Sequence, residues 1–214
     1  MENGIRNTGY SLRRKKIAKI VKPQRLMGIA GAGRGTGVTH FCILTANYLS
    51  NCLQRKTALI QWNDHGAFEQ VGRILARTDP NSLHPFSEAF QLMETDYFTR
   101  GDAQVLARCI DRSYDDIIID FGELRKEIHA EWLRCSTKCV VASLNDWKLE
   151  AFLEFLSSEE KLSDGWIYAA AFGSRRTQHD IERQFHISLS RIPFSEDAFS
   201  IDRNMMSWFK EILK

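Results

Sequence analysis

Proline is scarce in this chain, four in 214 residues, and long apolar runs are missing. No stretch approaches the roughly 18–20 apolar residues that a membrane-spanning helix needs. The N-terminus also lacks the apolar segment of a secretion signal, so neither export nor membrane insertion is expected. A disulfide framework is excluded too. The five cysteines (Cys42, Cys52, Cys109, Cys135, Cys139) are odd in number and form no CxxC pair, which suits reduced, buried thiols in a cytoplasmic protein. His129, His179 and His186 form no HxxH or HxxxH pair, so a zinc site is not expected. Nor is there much excess charge. A net +2 from 29 basic and 27 acidic residues does not by itself imply nucleic acid, and basic side chains gain meaning only where they cluster.

They cluster at the start. Residues 1–24 form a basic arm in which Arg13, Arg14, Lys15, Lys16, Lys19 and Lys22 surround Leu12, Ile17, Ile20 and Val21. As a helix, this arm would set Ile17, Ile20 and Val21 opposite the lysines, the pattern of a segment that meets an anionic membrane or nucleic acid through residues 12–22. As a tail, it would be solvated and unfolded. Both readings stand on the sequence. Residues 25–214 are enough for one α/β domain with one core.

What the chain does have is glycine in one place. Ile29 to His40 reads IAGAGRGTGVTH, after the apolar entry Leu26–Ala30 and before the helix-like FCILTANYLSNCL. A strand, a glycine loop and a helix start in that order form a phosphate cradle, because loop N–H groups and the helix N-terminus point at one anion. The candidate binding residues are Gly33, Arg34, Gly35, Thr36, Gly37, Val38, Thr39 and His40. When Gly37-Val38-Thr39 is laid on the end of GxxxxGK[ST], the lysine position becomes Val38 and the first glycine becomes Ala32, while the magnesium-binding hydroxyl, Thr39, remains. A dinucleotide GxGxxG would need glycine at Thr36 and an acidic residue closing the next strand, where Ile60-Gln61-Trp62-Asn63 stands instead. The plain alternative is a glycine turn with no ligand.

Beyond the loop the pattern alternates. Thr57–Gln61 reads as a strand, Phe68–Ala76 as a helix, Thr78–Pro85 as a loop and Phe90–Met93 as an ambiguous strand. Asp102–Ile110 follows as a helix. Ile117–Gly122 is an apolar β-branched run that delivers Asp120 at its C-terminal end, where a Walker-B-type carboxylate holds a magnesium-bound water. Lys138–Ser143, Trp166–Phe172 and Ile187–Pro193 read as further strands, separated by helices at Asp146–Leu156 and Asp180–Phe185 and followed by a closing helix to Leu213. This order predicts a doubly wound, mainly parallel sheet with helices on both faces, P-loop NTPase-like and three-layered.

In loop, length and strand order the chain resembles the ParA/MinD group of deviant P-loop ATPases, whose loop reads KGGxGKT. In that frame the signature lysine falls on Gly33, so both lysines are absent, and Arg34 sits one position along. Two lost charge-assisted bonds amount to roughly 3–6 kcal/mol, or about two to four decades of affinity. Strand Thr57–Gln61 with Trp62–Gly66 resembles the family's LIDxDPQGN, with Gln61 and Asn63 in place of the two aspartates. Asp64 is either a partial substitute or a cap for the next helix. The resemblance implies that ATP and magnesium bind weakly or not at all, with Thr39 and Asp120 as the magnesium ligands. It places Ser174 and Pro193 to Asp197 around the base. It also implies a protein partner or a homodimer, in the cytoplasm or at the inner face of the membrane. YDDIIIDFG resembles the CpaE/TadZ branch, adaptors that place pilus and secretion machinery. The expected function is a localisation or assembly adaptor with a degenerate nucleotide site; the alternative is a weak ATPase switch that dimerises on ATP.

Overall fold

Strand β1 (Arg25–Gly31), which leads into the glycine loop, runs through the middle of an eight-stranded sheet. The computed structural model describes residues 23–78, 88–158 and 165–213; the basic segment 12–22 and most of the expected loop around residues 78–85 lie outside them. After β1 come α1 (Val38–Asn47), extended by a π-helical turn over Tyr48–Cys52, then β2 (Thr57–Gln61) and α2 (Ala67–Thr78). The hairpin β3 (Ala89–Leu92) and β4 (Thr95–Phe98) precedes α3 (Ala103–Asp111) and β5 (Asp116–Glu123). The second half runs α4 (His129–Arg134), β6 (Thr137–Ser143), α5 (Asp146–Ser158), β7 (Trp166–Ala171), α6 (Arg175–Phe185), β8 (Leu189–Arg191) and α7 (Arg203–Ile212).

The strand order is β3-β4-β2-β5-β1-β6-β7-β8. Every pairing is parallel except β3 with β4. Parallel strands need crossover helices, which cover both faces and leave the central strands with no solvent side. That is why β2 and nearly all of β5 are buried along their length. Met27, Ile29, Leu59 and Ile118 face α1, α2 and α7 in one cluster, where Phe209 of α7 stacks on Tyr48 and Phe41. Ala30, Ile119, Val140 and Ala170 face α4, α5 and α6 in a second cluster, and Ala58, Ile60 and Ile117 pack on α3 in a third. At Gly28 a Cβ would lie 2.8 Å from Cys135 Sγ and 3.0 Å from the Trp132 ring, so glycine there admits α4 against the central strand.

This alternation also aims the site. Side chains two apart on a strand share a face, so Asp120 points to the same side as Ile118, the side on which α1 begins. Three helix starts carry acceptors for their free N–H groups: Asp102 for Val105, Ser174 for Thr177 and Asp202 for Met205. The start of α1 carries none, and its first turn holds no acidic residue. Among the described residues, no helix is long and apolar enough to cross a membrane. All five cysteines are free, and only Cys52 is not fully buried.

The structure differs from the sequence reading at three elements. The ambiguous segment around Phe90 is the antiparallel hairpin β3–β4, α4 was not expected, and α6 begins at Arg175 rather than Asp180. Ser174 explains the last difference, since its hydroxyl accepts from Thr177 N–H at 3.0 Å and starts the helix a turn and a half early.

Candidate functional site

The loop between β1 and α1 takes its shape from glycines in the left-handed region, Gly35 at φ 67° and Gly37 at φ 92°, which other residues rarely adopt. Inside the loop the Thr36 hydroxyl donates to Gly33 O at 3.2 Å. Gly33 through His40, with His65, Gly122 and Glu123, wall a cleft of about 180 Å³. The cleft lies at the C-terminal end of the central strands, where successive connections leave in opposite directions and ligands of open α/β sheets bind. The first turn of α1, which has no side-chain cap, lines it, and a helix start of that kind favours anions.

Behind the loop, Thr39 Oγ1 donates to Asp120 Oδ2 at 2.7 Å, so the hydroxyl and the carboxylate expected to share a magnesium ion do stand together. Asp120 is fully buried. Burial pushes its carboxyl above the ordinary range, while the Thr39 hydroxyl, the Gly122 N–H, His65 and the Asn63 amide each pull it back. Gly122 N–H donates to Oδ1 at 2.8 Å. The Asn63 amide gives two more bonds, to Asp120 Oδ1 at 3.0 Å and to its backbone oxygen at 2.9 Å. Gln61 is held at both ends, its amide donating to Asn63 Oδ1 at 3.0 Å and its oxygen accepting from Phe68 N–H at 2.9 Å. Gln61 therefore caps α2, one of the two roles open to Asp64, which is exposed.

Val38 is 7% exposed and packs into the core; a Cβ on Gly31 would come within 2.9 Å of it. The nearest loop cation, Arg34, turns its guanidinium to Glu123 at 3.3 Å, and its side chain is 81% exposed. His40 lies half-buried at the cleft wall; burial lowers its pKa and Asp197 raises it. Asp197, in the segment after β8, acts on His40 by charge alone, while Pro193 is half-buried and is not part of the cleft wall. Next to the cleft, the ends of β2, β4 and β5 enclose a wider groove of about 890 Å³, floored by Trp62 and Asn63 and bordered by Arg100, Arg125 and Glu127. Farther along the same rim, Trp147, Phe172 and Phe194 stand 78%, 58% and 76% exposed.

No protein-family model and no curated protein sequence matches the chain. Solved structures do. A plasmid partition protein from Borrelia burgdorferi bound to AMPPNP superposes with a TM-score of 0.61 at 15% identity, over 90% of this chain and 97% of that one. MinD in the MinC:MinD complex of Aquifex aeolicus gives 0.59 at 11% identity, over 80% and 82%. MinD from Pyrococcus horikoshii with Mg-ADP gives 0.53 at 15% identity, over 80% and 84%. The fold is that of the ParA/MinD P-loop ATPases. Within the ParA/MinD fold, the sequence had already pointed to Thr39 and Asp120. It had not pointed to the donor role of Asn63, to His65 and Glu123 as cleft walls, or to Lys148, whose ammonium donates to Arg34 O at 2.5 Å from 114 residues away. That separation leaves no local sequence signal.

Proposed function

We propose that this chain uses the ParA/MinD fold as a localisation or assembly adaptor, of the kind that serves pilus or secretion machinery, with a nucleotide site that binds weakly and does not turn over. The observation that carries this reading is the use made of Gln61 and Asn63. Where the family has carboxylates that order the attacking water, this chain has amides whose hydrogen bonds are committed to each other, to α2 and to Asp120. An amide can neither accept the proton of an attacking water nor balance the charge of a metal. The buried Val38 adds to this, since it gives the loop no point charge for the β and γ phosphates.

Thr39 and Asp120 remain suited to a hydrated magnesium ion, being hard oxygen donors already 2.7 Å apart. Held by Thr39 and Asp120, such an ion would supply positive charge that offsets the charge of bound phosphates. A protein partner or a second copy fits the exposed aromatic rim, because large apolar side chains grouped on a surface mark interaction sites. MinD of Aquifex aeolicus, one of the similar structures, was solved with a protein partner. The resemblance of YDDIIIDFG to the CpaE/TadZ branch supports the pilus or secretion setting, with cytoplasmic placement and residues 12–22 as an attachment to an anionic surface.

A second reading is favoured by the intact Thr39–Asp120 pair: a slow ATPase switch that dimerises on ATP. A nucleotide titration with and without magnesium, beside an ATP turnover assay, separates the two. The adaptor reading expects weak binding and no turnover above background. Magnesium-dependent hydrolysis abolished by Asp120→Ala would overturn it in favour of the switch.

A further inference from the structure

The first two turns of α5 are built against the glycine loop. A Cβ on Gly33 would lie 3.0 Å from Ala151 Cβ, so the helix leans on that glycine, and one on Gly35, a glycine already required by its positive φ, would lie 3.2 Å from Lys148 Nζ. Lys148 is the third residue of α5. A cation near a helix N-terminus opposes the macrodipole, so the charge is not there for the benefit of its own helix. Its ammonium instead donates to the carbonyl of Arg34 at 2.5 Å. The chain has no cis peptide bond among the described residues, and in a trans peptide the C=O and N–H point in opposite directions. A carbonyl drawn toward α5 therefore turns the N–H of the same peptide, that of Gly35, away from α5, and Gly35 is one of the residues that wall the cleft. A charged donor on the carbonyl also polarises the peptide and strengthens its N–H as a donor.

We infer that Lys148 is the cation of the phosphate loop: a positioning residue, delivered from α5, that holds peptide 34–35 with its N–H toward bound phosphates and supplies the positive charge that Gly33 and Val38 do not. Arg34 is not free for that role, since Glu123 takes its guanidinium. The inference rests on the reading of this loop as a phosphate site, and it names the residue that makes binding measurable in a loop without lysine.

The test is ATP and pyrophosphate binding by calorimetry, in parent protein and in Lys148→Arg, Lys148→Gln and Lys148→Met, each with its thermal midpoint. Glutamine matters most, because its amide can still donate to the Arg34 carbonyl but carries no charge. Expected are near-parental affinity for Lys148→Arg and about tenfold weaker binding for both Lys148→Gln and Lys148→Met, or ~1.4 kcal/mol. The gap should narrow as salt rises, thermal midpoints should be unchanged, and a change at the exposed Leu133 of α4, Leu133→Ala, should bind like the parent. Parental affinity in Lys148→Gln would reduce Lys148 to a neutral brace and overturn the proposal, as would parental affinity in Lys148→Met; in either case the phosphate reading survives. Failure of both the parent and Val38→Lys to bind either ligand would remove the phosphate site itself, and the inference with it.

Discussion

Returning an aspartate to position 63 should destabilise this protein rather than repair it. In the native site the Asn63 amide donates to Asp120 Oδ1 at 3.0 Å and to the Asp120 carbonyl at 2.9 Å, and Asp120 is fully buried. Asn63→Asp removes both donors and sets a second carboxylate oxygen about where the amide nitrogen was. Two unit charges 3.0 Å apart repel by about 5–6 kcal/mol at an effective dielectric constant of 20, so at neutral pH the pair will rotate apart, admit water or share one proton. The two lost bonds, one of them to a charged acceptor, cost about 2–4 kcal/mol more. After relaxation a net loss of about 3 kcal/mol is expected, read as a lower urea midpoint at unchanged slope. The loss should shrink as pH falls from 7 to 5, because a shared proton restores a hydrogen bond between the two carboxyls. A variant within about 0.5 kcal/mol of parent at pH 7 would refute this reasoning, by showing that the Asn63 amide does not hold Asp120.

Two other perturbations bear on the same residues. Val38→Lys should strengthen ATP binding by about 10- to 100-fold, the worth of one hydrogen bond to a charged group, at a stability cost of roughly 1–2 kcal/mol for the lost buried valine; a titration paired with a thermal melt tests both. Asp120→Asn keeps the Gly122 and Asn63 bonds, and the Thr39 hydroxyl can reverse to accept. Because burial raises the Asp120 pKa in the folded state, wild-type stability falls as pH rises above the ordinary value of 3.8, and the loss is complete above the folded-state pKa. Asp120→Asn should therefore be the more stable protein at pH 7, with the difference fading toward pH 4; a difference that grows on acidification would contradict the burial argument.

The sheet was legible because parallel strands covered on both faces are continuous apolar runs, and TALIQ, IIIDF and KCVVAS are such runs bounded by polar turns. The β3–β4 hairpin was only half legible. Its two-residue turn is Met93-Glu94, both at positive φ, and such turns are usually spelled with asparagine or glycine; a methionine and a glutamate give no turn signal. The pairing of Thr39 with Asp120 could be read from register, since a carboxylate at a buried strand end beside a glycine loop has few other places to point. The loss of carboxylates at Gln61 and Asn63 was visible too, but not their employment, because an amide letter does not say where its donors go. Lys148 was invisible: its partner is fixed only when α5 docks on the loop.

The central place of β1 has a consequence for how the chain is made. Its neighbours in the sheet are β5 and β6, and the first of them arrives late, with Arg25 bonded to Asp116 across 91 residues. At about 5–20 residues per second on the ribosome, the strand and the apolar helix that follows it wait roughly 5–20 seconds with both strand edges unpaired. That interval is when the nascent chain is most open to wrong pairing and to chaperones, and the glycine loop, set between those two elements, takes its shape only once it closes.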